Sequence, residues 1–165
     1  MTSINIQTAF PALRKALLVI TMVVLIGCSA KEKDITLFHD VTAGSGLDKY
    51  VGMTHGSAWG DFDGDGLPDL YVTNHLNGAK LFRNLGKGHF EDVTDKFFTP
   101  QDLAGDKHGA AWADFDNDGR LDLVQLIGTG RGVGSEPKRL FRNLGIRFEN
   151  VAAALGVDNP YGRTH

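Results

Sequence analysis

The sequence predicts an all-β fold made of β-propeller blades, two complete and a third just begun. Three observations lead there. The chain repeats itself in order, each repeat holds about four short β-type segments, and no stretch of any length carries helical periodicity. The composition agrees with a globular protein: 165 residues, 42% hydrophobic, 22% charged, with 21 Gly and 5 Pro. Disorder and collagen-like structure are excluded. A single cysteine excludes an internal disulfide and a Cys-rich zinc site.

The N-terminus reads as an address. Arg14 and Lys15 precede the apolar run Ala16–Ile26, which is too short for the roughly 20 residues a spanning helix needs. A basic region followed by a short apolar one is the pattern of a secretory signal. The run ends in Leu25-Ile26-Gly27-Cys28, which resembles a bacterial lipobox, although Ile26 is less usual at its position. The expectation is a lipoprotein signal peptide over 1–27, lipidation at Cys28, a polar linker over 28–35 and repeats over 36–165. Cleavage would remove two cations and take the net charge from −3 to −5. The folded part would then sit outside the cytoplasm on a membrane surface, held by several acyl chains because one alone is marginal.

The repeat follows. His55-Gly-Ser-Ala-Trp59-Gly-Asp61-Phe-Asp63-Gly-Asp65-Gly-Leu-Pro-Asp69-Leu70 recurs as His108-Gly-Ala-Ala-Trp112-Ala-Asp114-Phe-Asp116-Asn-Asp118-Gly-Arg-Leu-Asp122-Leu123. Leu81-Phe-Arg-Asn-Leu-Gly86 recurs unchanged at Leu140–Gly145, after a glycine-rich stretch, Gly128–Gly134, that reads as a lengthened loop. Phe90-Glu-Asp-Val-Thr94 matches Phe148-Glu-Asn-Val-Ala152, and both match Phe38-His-Asp-Val-Thr42. Thr164-His165 aligns with Thr54-His55, as though a third unit were starting.

Within each unit the segments read as strands. Leu70–Thr73 and Leu123–Ile127 are rich in aliphatic, aromatic and β-branched residues between turn residues. Leu81-Phe82 and Phe90 flank a hairpin-like loop, Asn84–Gly88. Gly56–Trp59 suits a crowded strand. Only Val151-Ala-Ala-Ala-Leu155 looks locally helical, as one turn between units. Four short strands per repeat suit a propeller blade, which buries its faces on its neighbours. Two blades alone would leave apolar faces wet, so further blades from a longer chain or an assembly are expected.

The chemistry lies in Asp-x-Asp-x-Asp-Gly-x-x-Asp, present as Asp61, Asp63, Asp65, Asp69 and as Asp114, Asp116, Asp118, Asp122. Alternate carboxylates on a tight loop converge, and Gly66 or Gly119 permits the bend. The carbonyl oxygens of Leu67 and Arg120 are further candidate ligands. Hard oxygen donors in this number suit Ca²⁺ better than Mg²⁺ or Zn²⁺. Two carboxylates about 4 Å apart repel by roughly 1 kcal/mol in water and about 4 kcal/mol at an effective dielectric of 20. A cation among them would relieve that repulsion. An EF-hand would require Glu at the twelfth position and flanking helices; here that position is Val72 or Gln125, followed by strand.

Taken together, these motifs resemble FG-GAP/VCBS-type repeats, most of all the bacterial group related to cartilage acidic protein and ASPIC/UnbV proteins. The resemblance covers about residues 36–165. It implies a seven-bladed or similar propeller with structural Ca²⁺ in the loops, here two sites. The sequence departs from the group in having too few blades and no C-terminal domain of the ASPIC type.

The remaining motifs read as structural. His55 and His108 recur with the repeat and are expected to form hydrogen bonds within it. Trp59 and Trp112 are expected to pack. Arg83 and Arg142 would brace the hairpin or pair with an acid. No Ser/His/Asp constellation, cysteine nucleophile or phosphate-cradling loop stands outside the repeat.

The functional expectation is a calcium-binding, lipid-anchored extracytoplasmic module that binds protein or glycan and is not an enzyme. The alternatives are a fragment of a propeller-based polysaccharide lyase or hydrolase, and a truncated product without independent function. The net charge of −3 argues against nucleic acid as partner.

Overall fold

The computed structural model describes residues 37–75, 77–128 and 136–159. The expected signal peptide, Cys28 and its linker, residues 129–135 of the glycine-rich loop and Thr164-His165 lie outside the described residues. The chain divides into two compact units, Met1–His39 and Asp40–His165, and the fold that follows is that of the second. Among the described residues, no helix is long and apolar enough to cross a membrane.

The second unit is built from two antiparallel four-stranded sheets, each a meander of strands adjacent in sequence. The first holds β1 (Ser57–Gly60), β2 (Asp69–Val72), β3 (Lys80–Gly86) and β4 (His89–Asp92). The second holds β5 (Lys107–Ala113), β6 (Asp122–Ile127), β7 (Arg139–Asn143) and β8 (Phe148–Asn150). Of the segments expected as strands, Leu123–Ile127 lies in β6 and Leu70–Thr73 lies in β2 except for Thr73. The expected hairpin is β3–β4, but Asn84–Gly86, read as loop, belong to β3, with a register shift between Asn84 and Gly86. In both sheets an Asp-rich loop joins the first strand to the second.

Two local features complete each repeat. The turn expected at Val151–Leu155 forms, with the Leu155 N–H donating to the Val151 carbonyl at 3.1 Å. Its counterpart after β4 is a short helix, α1 (Thr94–Phe97), which four residues are too few to announce by periodicity. Just before each turn, an Asp or Asn carboxyl or amide oxygen accepts a backbone N–H two residues on. The pairs are Asp92 with Thr94 at 3.0 Å and Asn150 with Ala152 at 3.2 Å. The earliest copy keeps this turn, Asp40 with Thr42 at 2.9 Å, but Phe38–Thr42 lies in no strand.

The two sheets stack face to tail. Tyr71, Leu81 and Phe62 of the first repeat pack on Leu123, Phe141, Phe148 and Trp112 of the second. Burying side chains of this size contributes about 1.5–3 kcal/mol each. Each sheet therefore offers a different face to the other. Tyr71 is 0% exposed, whereas its repeat counterpart Val124 is 38% exposed; Phe62 is 3% exposed and its counterpart Phe115 is 37% exposed. On the other face of the first sheet, Leu70, Val72 and Phe82 are covered by Leu47, Tyr50 and Phe90 of the same unit.

Polar contacts fix the junction. The Trp112 indole N–H donates to the Ala58 carbonyl at 3.2 Å, and Asn143 Nδ2 donates to the Phe62 carbonyl at 2.8 Å. Gln125, buried on β6, donates to the Tyr71 hydroxyl.

Candidate metal-binding loops

Each acidic loop leaves its first strand, turns sharply and enters the second. The turn needs backbone with positive φ, supplied by Gly64 (75°) in the first loop and Asn117 (58°) in the second. Asn tolerates that region better than other residues with a side chain. Gly66 and Gly119 follow at 87° in both loops, as the sequence predicts for the bend.

The opening aspartate of each loop is a hub for backbone donors. Asp61 accepts from the N–H groups of Gly64, Asp65 and Gly66 at 2.8, 3.0 and 2.8 Å. Asp114 accepts from Asp118 and Gly119 at 3.1 and 3.0 Å. The closing aspartate ties the loop to the sheet: Asp69 accepts from Phe62 at 3.1 Å and from Asn84 at 2.7 Å. Asp122 does the same with Phe115 at 3.2 Å and Asn143 at 2.7 Å.

Of the eight aspartates read from the sequence, the fold brings carboxylate oxygens of Asp61, Asp63 and Asp69 within 4.8 Å of one another. Asp114, Asp116 and Asp122 form the matching group. The third aspartate of each loop turns towards arginine. Asp65 meets Arg83 at 3.0 Å, while Arg83 Nε also reaches Asp63 at 2.6 Å. In the second loop Asp118 pairs with Arg120, and Arg142 Nε reaches Asp116 at 2.7 Å. Leu67 and Arg120 donate their N–H groups to Asp65 and Asp118, at 2.9 and 3.0 Å. Arg120 Nε donates to the Asn143 carbonyl at 2.8 Å. The pairing of Arg83 and Arg142 with acids is as the sequence suggests; the part played by Asn84 and Asn143 is not visible there.

The electrostatics fit a cation. Burial pushes the Asp69 carboxyl up to about 6, with the charges of Asp63 and Asp65 adding to the rise and the Asn84 and Phe62 donors opposing it. Asp122 is raised for the same reasons, burial first, with Asp116 and Asp118 contributing. Three clustered carboxylates, one of them buried and repelled by its neighbours, form a hard-oxygen donor set of the kind a divalent ion holds together. The residues present therefore fit such an ion.

Residues 61–124 match the FG-GAP-like repeat family, a span that runs from the first aspartate of the first loop to just past the last of the second. This stretch resembles FG-GAP-like repeats. Cartilage acidic protein 1 of Xenopus tropicalis is 31% identical over 124 residues, covering 73% of this chain and 18% of that protein. The proteins of the same name from Homo sapiens and Mus musculus are each 29% identical over 125 residues, again covering 73% of this chain and 18% of theirs. The chain thus spans about a fifth of the length of the curated relatives it matches. The matched span takes in both acidic loops, β2 to β5 and the start of β6.

The histidines of the repeat, expected to form hydrogen bonds within it, gather with His75 as a group of stacked rings. His55 stacks on both His75 and His108, and both of these approach Asp106. His75 and Asp106 have no repeat partner of like kind, since their counterparts are Gly128 and Met53, so repetition gave no signal for them.

Proposed function

We propose that this chain is a calcium-stabilised, non-catalytic protein-interaction module of propeller blades, anchored by lipid at Cys28 on the extracytoplasmic side of a membrane. The observation that carries the calcium reading is the pair of matching carboxylate clusters, Asp61/Asp63/Asp69 and Asp114/Asp116/Asp122, in the same loop of both repeats. Asp65, Asp118 and the carbonyls of Leu67 and Arg120 would complete the shells once the arginines give way. Bound calcium supplies charge neutralisation there; the chain's own residues hold the loop closed, through the backbone donors to Asp61 and Asp114.

The blade reading is supported by the stacking. Sheets that join by two different faces propagate head to tail rather than closing as a pair. Val124 and Phe115 occupy the positions at which Tyr71 and Phe62 are buried, so the second sheet offers the face that a third blade would cover. The lipobox-like Leu25-Ile26-Gly27-Cys28 supports the anchor.

Calorimetric titration of the metal-free chain with Ca²⁺ tests the reading. Two ions per chain are expected, falling to one in Asp63→Asn and to one in Asp116→Asn. Absence of saturable calcium binding would overturn it.

A further inference from the structure

The geometry points to a second kind of metal site, in which His75, Asp106 and His108 bind a borderline divalent cation such as Zn²⁺ at the junction of the two repeats. It is distinct from the acidic loops in position and in donor chemistry.

The backbone pins all three residues. The His75 N–H donates to the Met53 carbonyl at 3.0 Å, and the equivalent bond of the next repeat runs from Gly128 to the carbonyl of Asp106 at 2.7 Å. The carbonyl of His108 accepts from Thr73 Oγ1 at 3.0 Å. The loop after β2 and the start of β5 are thereby held side by side.

The side chains converge on one oxygen. Asp106 Oδ1 lies 2.5 Å from His75 Nδ1 and 3.2 Å from His108 Nε2. All three ligand atoms fall within 4.8 Å of one another. These same three atoms are buried, yet none has a hydrogen bond of acceptable geometry. Buried polar atoms left in that state are costly. Without a metal the three atoms are held together by charge; a tetrahedral ion among them would spread them to about 3.3 Å from one another.

The donor set selects the ion. Two imidazole nitrogens and one carboxylate oxygen suit Zn²⁺ and its neighbours, with a water free to fill a fourth position. Calcium, which prefers all-oxygen shells, is disfavoured. The three side chains stay 23–34% exposed, so an ion can enter from solvent. His55 stacks on both ligand rings, 4.8 Å from His75 and 5.0 Å from His108 between centroids, and so fixes their orientation.

Among the described residues the set occurs once, since the counterpart of His75 is Gly128, which lies against the His108 ring and brings no ligand atom. A cation bound at this point would fasten the first sheet to the second, a role separate from shaping the loops.

The test uses the full chain in excess Ca²⁺, so that the oxygen sites are occupied, with Co²⁺ as a spectroscopic probe and Zn²⁺ as competitor. One Co²⁺ per chain with visible ligand-field absorption is expected, displaced by Zn²⁺. His75→Asn and Asp106→Asn should each weaken Zn²⁺ binding at least tenfold, and Asp63→Asn should leave it unchanged. Because substitutions at the junction also loosen packing, imidazole ¹⁵N spectra of the unsubstituted chain give an independent reading: Zn²⁺ should move the resonances of His75 and His108. No saturable binding, binding that survives His75→Asn, or shifts confined to other histidines would each overturn the inference.

Discussion

Trp112 of β5 lies over Phe62 of the preceding repeat, with ring centroids 6.2 Å apart and planes 14° from parallel. Its repeat counterpart, Trp59, is 55% exposed and meets the edge of the Phe90 ring, at 6.0 Å. One residue type in one place of the repeat thus has two environments: Trp112 packs on the preceding repeat, and among the described residues no such repeat stands against Trp59.

This difference sets the first expectation. Trp112→Ala removes an aromatic ring and the indole hydrogen bond from the junction and should cost about 3 kcal/mol. Trp59→Ala should cost under about 1 kcal/mol, since more than half of its surface is already in water. Urea denaturation of both variants measures the contrast.

Tyr71 and Gln125 form a buried polar pair across the same junction. Tyr71→Phe leaves the Gln125 amide without its acceptor and should destabilise by about 1–3 kcal/mol. Adding Gln125→Met should restore part of the loss, because an apolar pair leaves no orphan. A double-mutant cycle gives the coupling.

Arg83 competes for the first acidic loop. Its pairs with Asp63 and Asp65 lie at the surface, so Arg83→Ala should change the stability of the metal-free chain by less than about 1 kcal/mol. Removing the cation should raise calcium affinity at that loop several-fold, by ending competition for Asp63. Arg142→Ala should act likewise on the second loop through Asp116. Calorimetry on each variant separates the two sites.

Much of this architecture was legible in the sequence because repetition doubles every signal. The aspartates, the glycine bends and the strands after them appear twice in register, and the structure places them in matching loops and sheets. What repetition could not reveal is whatever occurs once or depends on a neighbour. His75 and Asp106 have no like-for-like counterpart, and their approach to His108 is set by how the sheets stack. The sequence suggests that Arg83 and Arg142 pair with acids, but not which ones, nor that Arg120 of the loop itself takes Asp118. Helix α1 leaves no mark in the sequence because one turn has no period to read.

On this reading a divalent ion holds the acidic loops, and through them the sheets, in shape. Thermal unfolding of the metal-free chain with and without added Ca²⁺ tests it most directly. Calcium should raise the midpoint strongly, with the gain halved in Asp63→Asn and abolished when Asp116→Asn is added. An unfolding midpoint indifferent to calcium in the unsubstituted chain would contradict it.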